Sequence, residues 1–175
     1  MEKKFIGMII VIILAVVTVS GCIDDGSTNS TNNGSLFNDG PVFNDEKVFF
    51  DYPSDWAKYT PSSYDPDRVA SLKTSKGETS LLGVFVSPAM GGSIEKYKSD
   101  NEPRPGETLI SSEYITIDGV RGFDISLKYY SNGGGEQRII GFIKNGNYYR
   151  MIFTTGDLDA IKSDMDIVTN SFKAL

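Results

Sequence analysis

One cysteine and an abundance of serines, carboxylates and tyrosines make up the chemistry-bearing residues of this 175-residue chain. Cys22 closes the run Val19-Ser20-Gly21-Cys22, directly after an uncharged stretch from Phe5 to Val19 and a charged start at Glu2, Lys3 and Lys4. An aliphatic residue, two small residues and a cysteine form the lipobox of bacterial-type lipoproteins. The small residues let the backbone enter a peptidase site, and the thiol is the nucleophile that takes the lipid. An apolar run of about fifteen residues is short for a membrane span, which needs about 20, and suits a signal peptide. The competing reading is an uncleaved anchor with an incidental cysteine. Residues 1–21 are therefore expected to be a signal peptide, with Cys22 the lipidation site and the cell membrane, extracytoplasmic side, the location. Two chains on Cys22 would hold the protein stably where one would be marginal.

Other chemistry is excluded by absence. The chain has no histidine, so an imidazole base, a Ser-His-Asp triad and a His-ligated zinc are ruled out. With a single cysteine there is no intrachain disulfide and no thiolate metal cluster. The formal charge of -6, without a basic cluster, speaks against nucleic acid and gives no polybasic patch for anionic lipid. Asp157, Asp159, Asp164 and Asp166 are a set of carboxylates of the kind calcium takes, but the Gly and terminal Glu of an EF-hand loop are missing. Helix capping and a solvated face are the expectation, with no metal and no cofactor. Gly133-Gly134-Gly135 is read as a hairpin loop, since no strand-to-helix transition follows as a P-loop requires. No catalytic constellation stands out. A His-free Ser-Lys dyad or a carboxylate pair in a deep pocket is the alternative that would make the chain a hydrolase.

These residues need elements to position them. From Ile23 to about Asp45 the chain is rich in Asn, Ser, Thr, Gly and Asp, and residues 22–46 are expected to form a disordered tether carrying the lipidated cysteine. About 22 flexible residues average roughly 25 Å end to end and reach about 75 Å stretched. Asn29 and Asn33 head glycosylation sequons, Asn-Ser-Thr and Asn-Gly-Ser, used only where the host has the machinery.

Residues 47–175 then read as one domain. Strands are expected at Val48–Tyr52, stopped by Pro53, and at Val69–Thr74 and Ser80–Val86 around a Lys76-Gly77 turn. Further strands are expected at Tyr114–Ile117 and Val120–Tyr130 around Asp118-Gly119, and at Arg138–Lys144 and Tyr148–Thr155 around Asn145-Gly146. Ser93 is placed to cap a short helix through Ile94 and Tyr97. Phe123, Ile125, Leu127 and Tyr129 alternate with Asp124, Ser126 and Lys128, which predicts one apolar face for that strand. The pairs Tyr129-Tyr130 and Tyr148-Tyr149 are expected to point one ring inward and pack the other under a helix. Leu158, Ile161, Met165, Val168 and Phe172 recur at spacings of three and four, one stripe of an amphipathic helix. The fold class is α+β: a central antiparallel sheet with helices packed on both faces.

Phe50-Asp51-Tyr52-Pro53 with Trp56, Ser93-Ile94-Glu95, Ile117-Asp118-Gly119, Gly141-Phe142-Ile143, Asn145 to Tyr149, Thr154-Thr155-Gly156 and Ser171-Phe172-Lys173 follow one another in the order found in the PsbP family. The chain resembles that family across about residues 47 to 174. The resemblance implies an antiparallel sheet between helices on both faces. It also implies a non-enzymatic protein-binding role, because photosynthetic members act as docking proteins that help retain calcium and chloride, and a distant relative of the fold binds a Ran-type GTPase. Histidine-dependent sites of plant members have no counterpart here, and the tether does not resemble theirs. Archaeal and bacterial lipoproteins carry similar domains.

The expected function is thus an accessory or binding module anchored through Cys22, acting on an envelope or membrane protein. With both sheet faces committed to the core, loops are the free surface. In Tyr59 to Asp67, two tyrosines sit among turn-forming prolines. Tyr59 and Tyr64 either anchor a partner or fold back over the sheet edge. Trp56 is expected to pack beneath the first turn. The lipid assignment has a direct check. Wild type is expected in the detergent phase with the added mass of a lipid, and Cys22→Ser is expected to lose that mass. A variant matching wild type in mass and partitioning refutes the assignment.

Overall fold

The computed structural model describes residues 40–130 and 134–175. Cys22, Asn29 and Asn33 lie outside the described residues. Seven antiparallel strands form the main sheet in the order β3-β4-β5-β9-β8-β7-β6. They are β3 Ala57–Lys58, β4 Arg68–Thr74, β5 Ser80–Pro88, β6 Glu107–Ile117, β7 Val120–Tyr129, β8 Gly135–Lys144 and β9 Asn147–Thr155. A three-stranded sheet, β1-β2-β10, is made from β1 Val42–Asn44, β2 Val48–Asp51 and β10 Lys173–Ala174. Helices α1 Ile94–Asp100 and α2 Lys162–Ser171 complete the domain.

The tight hairpins form where expected. Asp118-Gly119 and Asn145-Gly146 all have positive φ, from 48° to 77°, the left-handed pair that a two-residue turn between twisted strands requires. Asp118 has a second role. Burial works against its charge, yet Lys144 at 2.6 Å, the Ala174 N–H at 2.9 Å and Lys173 at 3.4 Å hold its carboxyl below the usual range. One turn residue thereby pins the C-terminal strand.

Each face of the main sheet has its own cover. Ser93 caps α1, its hydroxyl accepting the Lys96 N–H. Ile94 and Tyr97 of that helix pack on Phe123, Ile125, Ile139 and Tyr148, with the Tyr97 and Tyr148 rings 3.9 Å apart. The opposite face carries the larger core beneath α2 and the small sheet. Phe50 stacks between Phe43 and Phe172 at 5.0 and 5.7 Å, and Phe142 meets Phe172 edge-on at 5.7 Å. All five residues of the C-terminal stripe are buried there.

The domain begins earlier than the composition suggested. β1 lies inside the segment expected to be tether, five residues before Lys47, because Phe43 stacks on Phe50 and the Tyr52 N–H donates to the Pro41 carbonyl. A three-residue strand has no periodicity to read. β6 starts at Glu107 rather than Tyr114, since an edge strand needs no apolar face. Asp124 and Ser126 are buried instead of solvated. Tyr148 and Tyr149 do go to opposite faces, but Tyr130 is exposed. The C-terminal stripe begins in a 3-10 turn, Asp159–Ile161, and only Lys162–Ser171 is α-helical.

Asp164, expected on the solvated face of the helix, is 4 % exposed. Its carboxylate accepts the Trp56 Nε1–H at 2.7 Å and meets the Lys76 ammonium at 2.9 Å. That hydrogen bond, with Asp55 at 3.1 Å, raises the pKa of Lys76 above the ordinary lysine value despite some burial. Trp56 packs beneath the first turn as expected.

Phe172→Ala should cost about 3–5 kcal/mol by loss of packing and the cavity left behind. Lys162→Ala, at an exposed position, should change stability by no more than about 0.5. Urea unfolding measures both, and equal effects would show that the packed face is misassigned.

Candidate functional site

The loop from Tyr59 to Asp67 exists because of its prolines. β3 pairs with β4 for two residues, the Tyr59 N–H adds one bond to the Ser71 carbonyl, and Pro61 then has no N–H to continue the ladder. The chain swings off the β4 edge and returns through a turn in which the Asp65 side chain accepts the Asp67 N–H at 3.0 Å. An open groove of about 420 Å3 remains between the loop and β4, lined by Tyr59, Pro61, Tyr64, Arg68 and Ser71 among others. The two tyrosines part company here. Tyr59 is half-buried along the groove, and Tyr64 is 91 % exposed.

A second hollow, of about 470 Å3, lies where α2 leaves β6, β7 and β8 uncovered. Sequence reasoning missed it. Its floor holds Asp124, 5 % exposed, gripped by Arg138 through Nε at 3.0 Å and Nη2 at 2.7 Å. Burial lowers the tendency of Arg138 to hold its proton, but Asp124 and Asp166 outweigh it and raise the pKa. Glu136 accepts the Leu158 N–H at 3.0 Å and faces Lys128 at 3.6 Å. Glu113, Asp159 and Lys162 line the rim. General acid–base work needs two carboxyls free to trade protons; here the two innermost are bound to a cation and to a helix-start N–H. Among the described residues, no three carboxylates come together in a group able to hold a metal ion.

The family described as PsbP-like protein matches residues 5–174, nearly the whole sequence. The chain belongs to the PsbP-like family. Similar solved structures include cyanobacterial PsbP (CyanoP) of Synechocystis sp. PCC 6803, with 15 % identity, a TM-score of 0.57, and coverage of 81 % of this chain and 96 % of that one. LpqN of Mycobacterium tuberculosis, described as involved in cell envelope biogenesis, aligns with 14 % identity, a TM-score of 0.51, and coverage of 79 % and 87 %. At such identities the likeness speaks for the fold. No curated protein matches the sequence.

This PsbP-like domain does bring one serine and one lysine together. Lys98 Nζ of α1 donates to Ser112 Oγ of β6. A catalytic lysine must be neutral to take the serine's proton, whereas an ammonium only donates. The same ammonium faces Glu102 at 3.9 Å and lies 5.5 Å from the Tyr114 ring centroid, both partners for a cation. The contact ties α1 to the sheet edge. A fluorophosphonate probe should therefore leave Ser112 unmodified in the full chain, as read by peptide mass spectrometry. Labelling at Ser112 that is lost in Lys98→Met would establish a dyad.

Proposed function

We propose that this PsbP-like chain is a membrane-anchored, extracytoplasmic accessory module that binds a protein of the envelope and performs no reaction of its own. The observation that carries the reading is Tyr64, 91 % exposed on a proline-stiffened loop beside the groove that Tyr59 lines. A large aromatic side chain on a stiff loop loses little entropy on binding and makes a good anchor. The polar side chains that could do chemistry point the same way, since Asp124, Glu136 and Ser112 are each engaged by another group of the fold. Anchoring rests on the lipobox at Cys22. An envelope setting is supported by LpqN, whose fold is similar and which is involved in cell envelope biogenesis in its own organism.

Tyr59→Ala combined with Tyr64→Ala tests this reading. The variant should keep its melting temperature within a few degrees and lose the protein recovered with wild type after cross-linking and detergent extraction. Since Tyr59 is half-buried, Tyr64→Ala alone serves as the milder form, with partial loss expected and no change in melting. An unchanged partner profile refutes the loop as the anchor.

A further inference from the structure

On the face of the main sheet that carries α1, Ile94 and Tyr97 of that helix pack with residues of β7, β8 and, through Tyr148 and Ile152, β9, while no residue of β5 or β4 joins that cluster. Alternation along β4, β5 and β9 sends Lys73, Phe85 and Arg150 to this side, opposite the buried Leu72, Val84 and Met151, and the register irregularity between Arg68 and Ala70 brings Arg68 to the same side. No carboxylate on the three strands shares the face, in a chain whose net charge is -6.

At its centre lies one cross-strand row. Arg68 pairs in register with Phe85, and Phe85 with Arg150. The Phe85 ring lies over Gly83, where a Cβ would come within 2.8 Å of it. The guanidinium carbons of Arg68 and Arg150 sit 5.1 and 4.9 Å from the ring centroid. Arg121 and Arg138 have carboxylate partners at 2.7 Å, but Arg68 and Arg150 have none among the described residues. Their Nε atoms are buried with no acceptor, although both residues stay partly exposed. Three nearby acids are otherwise engaged. Asp100 and Glu102 line a hollow next to Arg150 but face Lys96 at 2.6 Å and Lys98 at 3.9 Å, and Asp65 beside Arg68 closes its own turn.

We infer that this row is a docking site for an acidic, Asp/Glu-rich segment of a partner protein. Stacking on Phe85 holds two guanidiniums without a carboxylate of the chain itself, and a guanidinium is a planar fork suited to two-pronged binding of a carboxylate. Residues two strands apart are about 10 Å apart, and carboxylates two or three residues apart on an extended peptide are about 7–10 Å apart. Lys73 adds a third, exposed cation. Charge selects this occupant over a bilayer. A chain of net charge -6 is repelled by an extended anionic surface, whereas a short segment senses only charges within a Debye length of about 8 Å.

The inference does not rest on the Tyr59/Tyr64 loop, and the experiment keeps the two apart. The full chain in mild detergent is titrated with a fluorescein-labelled ten-residue peptide of alternating Asp and Gly, read by anisotropy at low salt. Wild type should bind, and affinity should fall when salt is raised tenfold. Arg68→Gln with Arg150→Gln should weaken binding at least tenfold. Lys162→Gln, and Tyr59→Ala with Tyr64→Ala, should stay within threefold of wild type. Should the double arginine variant fail to fold, phenylglyoxal footprinting of wild type decides. The peptide must then slow modification of Arg68 and Arg150 at least fivefold and leave the exposed Arg104 unprotected. Absence of peptide binding, equal affinity of the arginine variant, or equal footprinting rates overturns the inference. So does arginine-dependent binding to phosphatidylglycerol vesicles without binding to the peptide.

Discussion

The buried carboxylate of Asp164 is the constraint on which the rest of the domain hangs. An ionised acid taken out of water needs partners that are themselves held in place. Besides the neighbouring Ser163 hydroxyl, Asp164 has two from distant parts of the chain: the indole of Trp56, just after the first turn, and the ammonium of Lys76, in the turn between β4 and β5. Satisfying one carboxylate therefore sets three things together, the start of α2, the approach to β3 and the end of β4. The path after Trp56 then determines where Pro61 breaks the ladder and where the groove opens.

A second theme is the use of polar groups in pairs inside the sheet. Asp124 with Arg138, Asp118 with Lys144, and Glu136 with the start of the C-terminal turn each join an element of the sheet to its neighbour or to the chain end. Such groups specify register and docking, and they leave few side chains at liberty. The β4 side of the sheet is different, with Tyr64 exposed on its loop and two arginines stacked on Phe85 without a carboxylate partner among the described residues.

Much of the fold was legible in the residues. Asp118-Gly119 and Asn145-Gly146 announced their hairpins, Ser93 its helix, and the stripe from Leu158 to Phe172 its buried face, because each is a local signal with a local cause. What escaped was non-local. β1 is ordered by its partners across the chain, Phe50 against Phe43 among them, and Glu107–Glu113 is a strand because β7 lies beside it. Asp124 looked solvated because its partner is fourteen residues on, and Asp164 because its partners are 88 and 108 residues away. The candidate surfaces divide in the same way. The prolines and tyrosines of the loop could be read directly, whereas the Arg68–Phe85–Arg150 row exists only as a pairing across three strands.

The small sheet has a mechanical consequence. The described chain enters at Gly40 and ends at Leu175, and both ends join the same three strands, with β1 and β10 flanking β2. The hairpin of β1 and β2 has its open end at Pro41 and Tyr52, at the point of entry. A pull applied there loads the hydrogen bonds of β1 one after another, as a zipper, and not all at once, as in shear. Strain entering from that side would be relieved by peeling three residues and the Phe43 ring from the domain, while the seven-stranded sheet and the surfaces it carries stay intact.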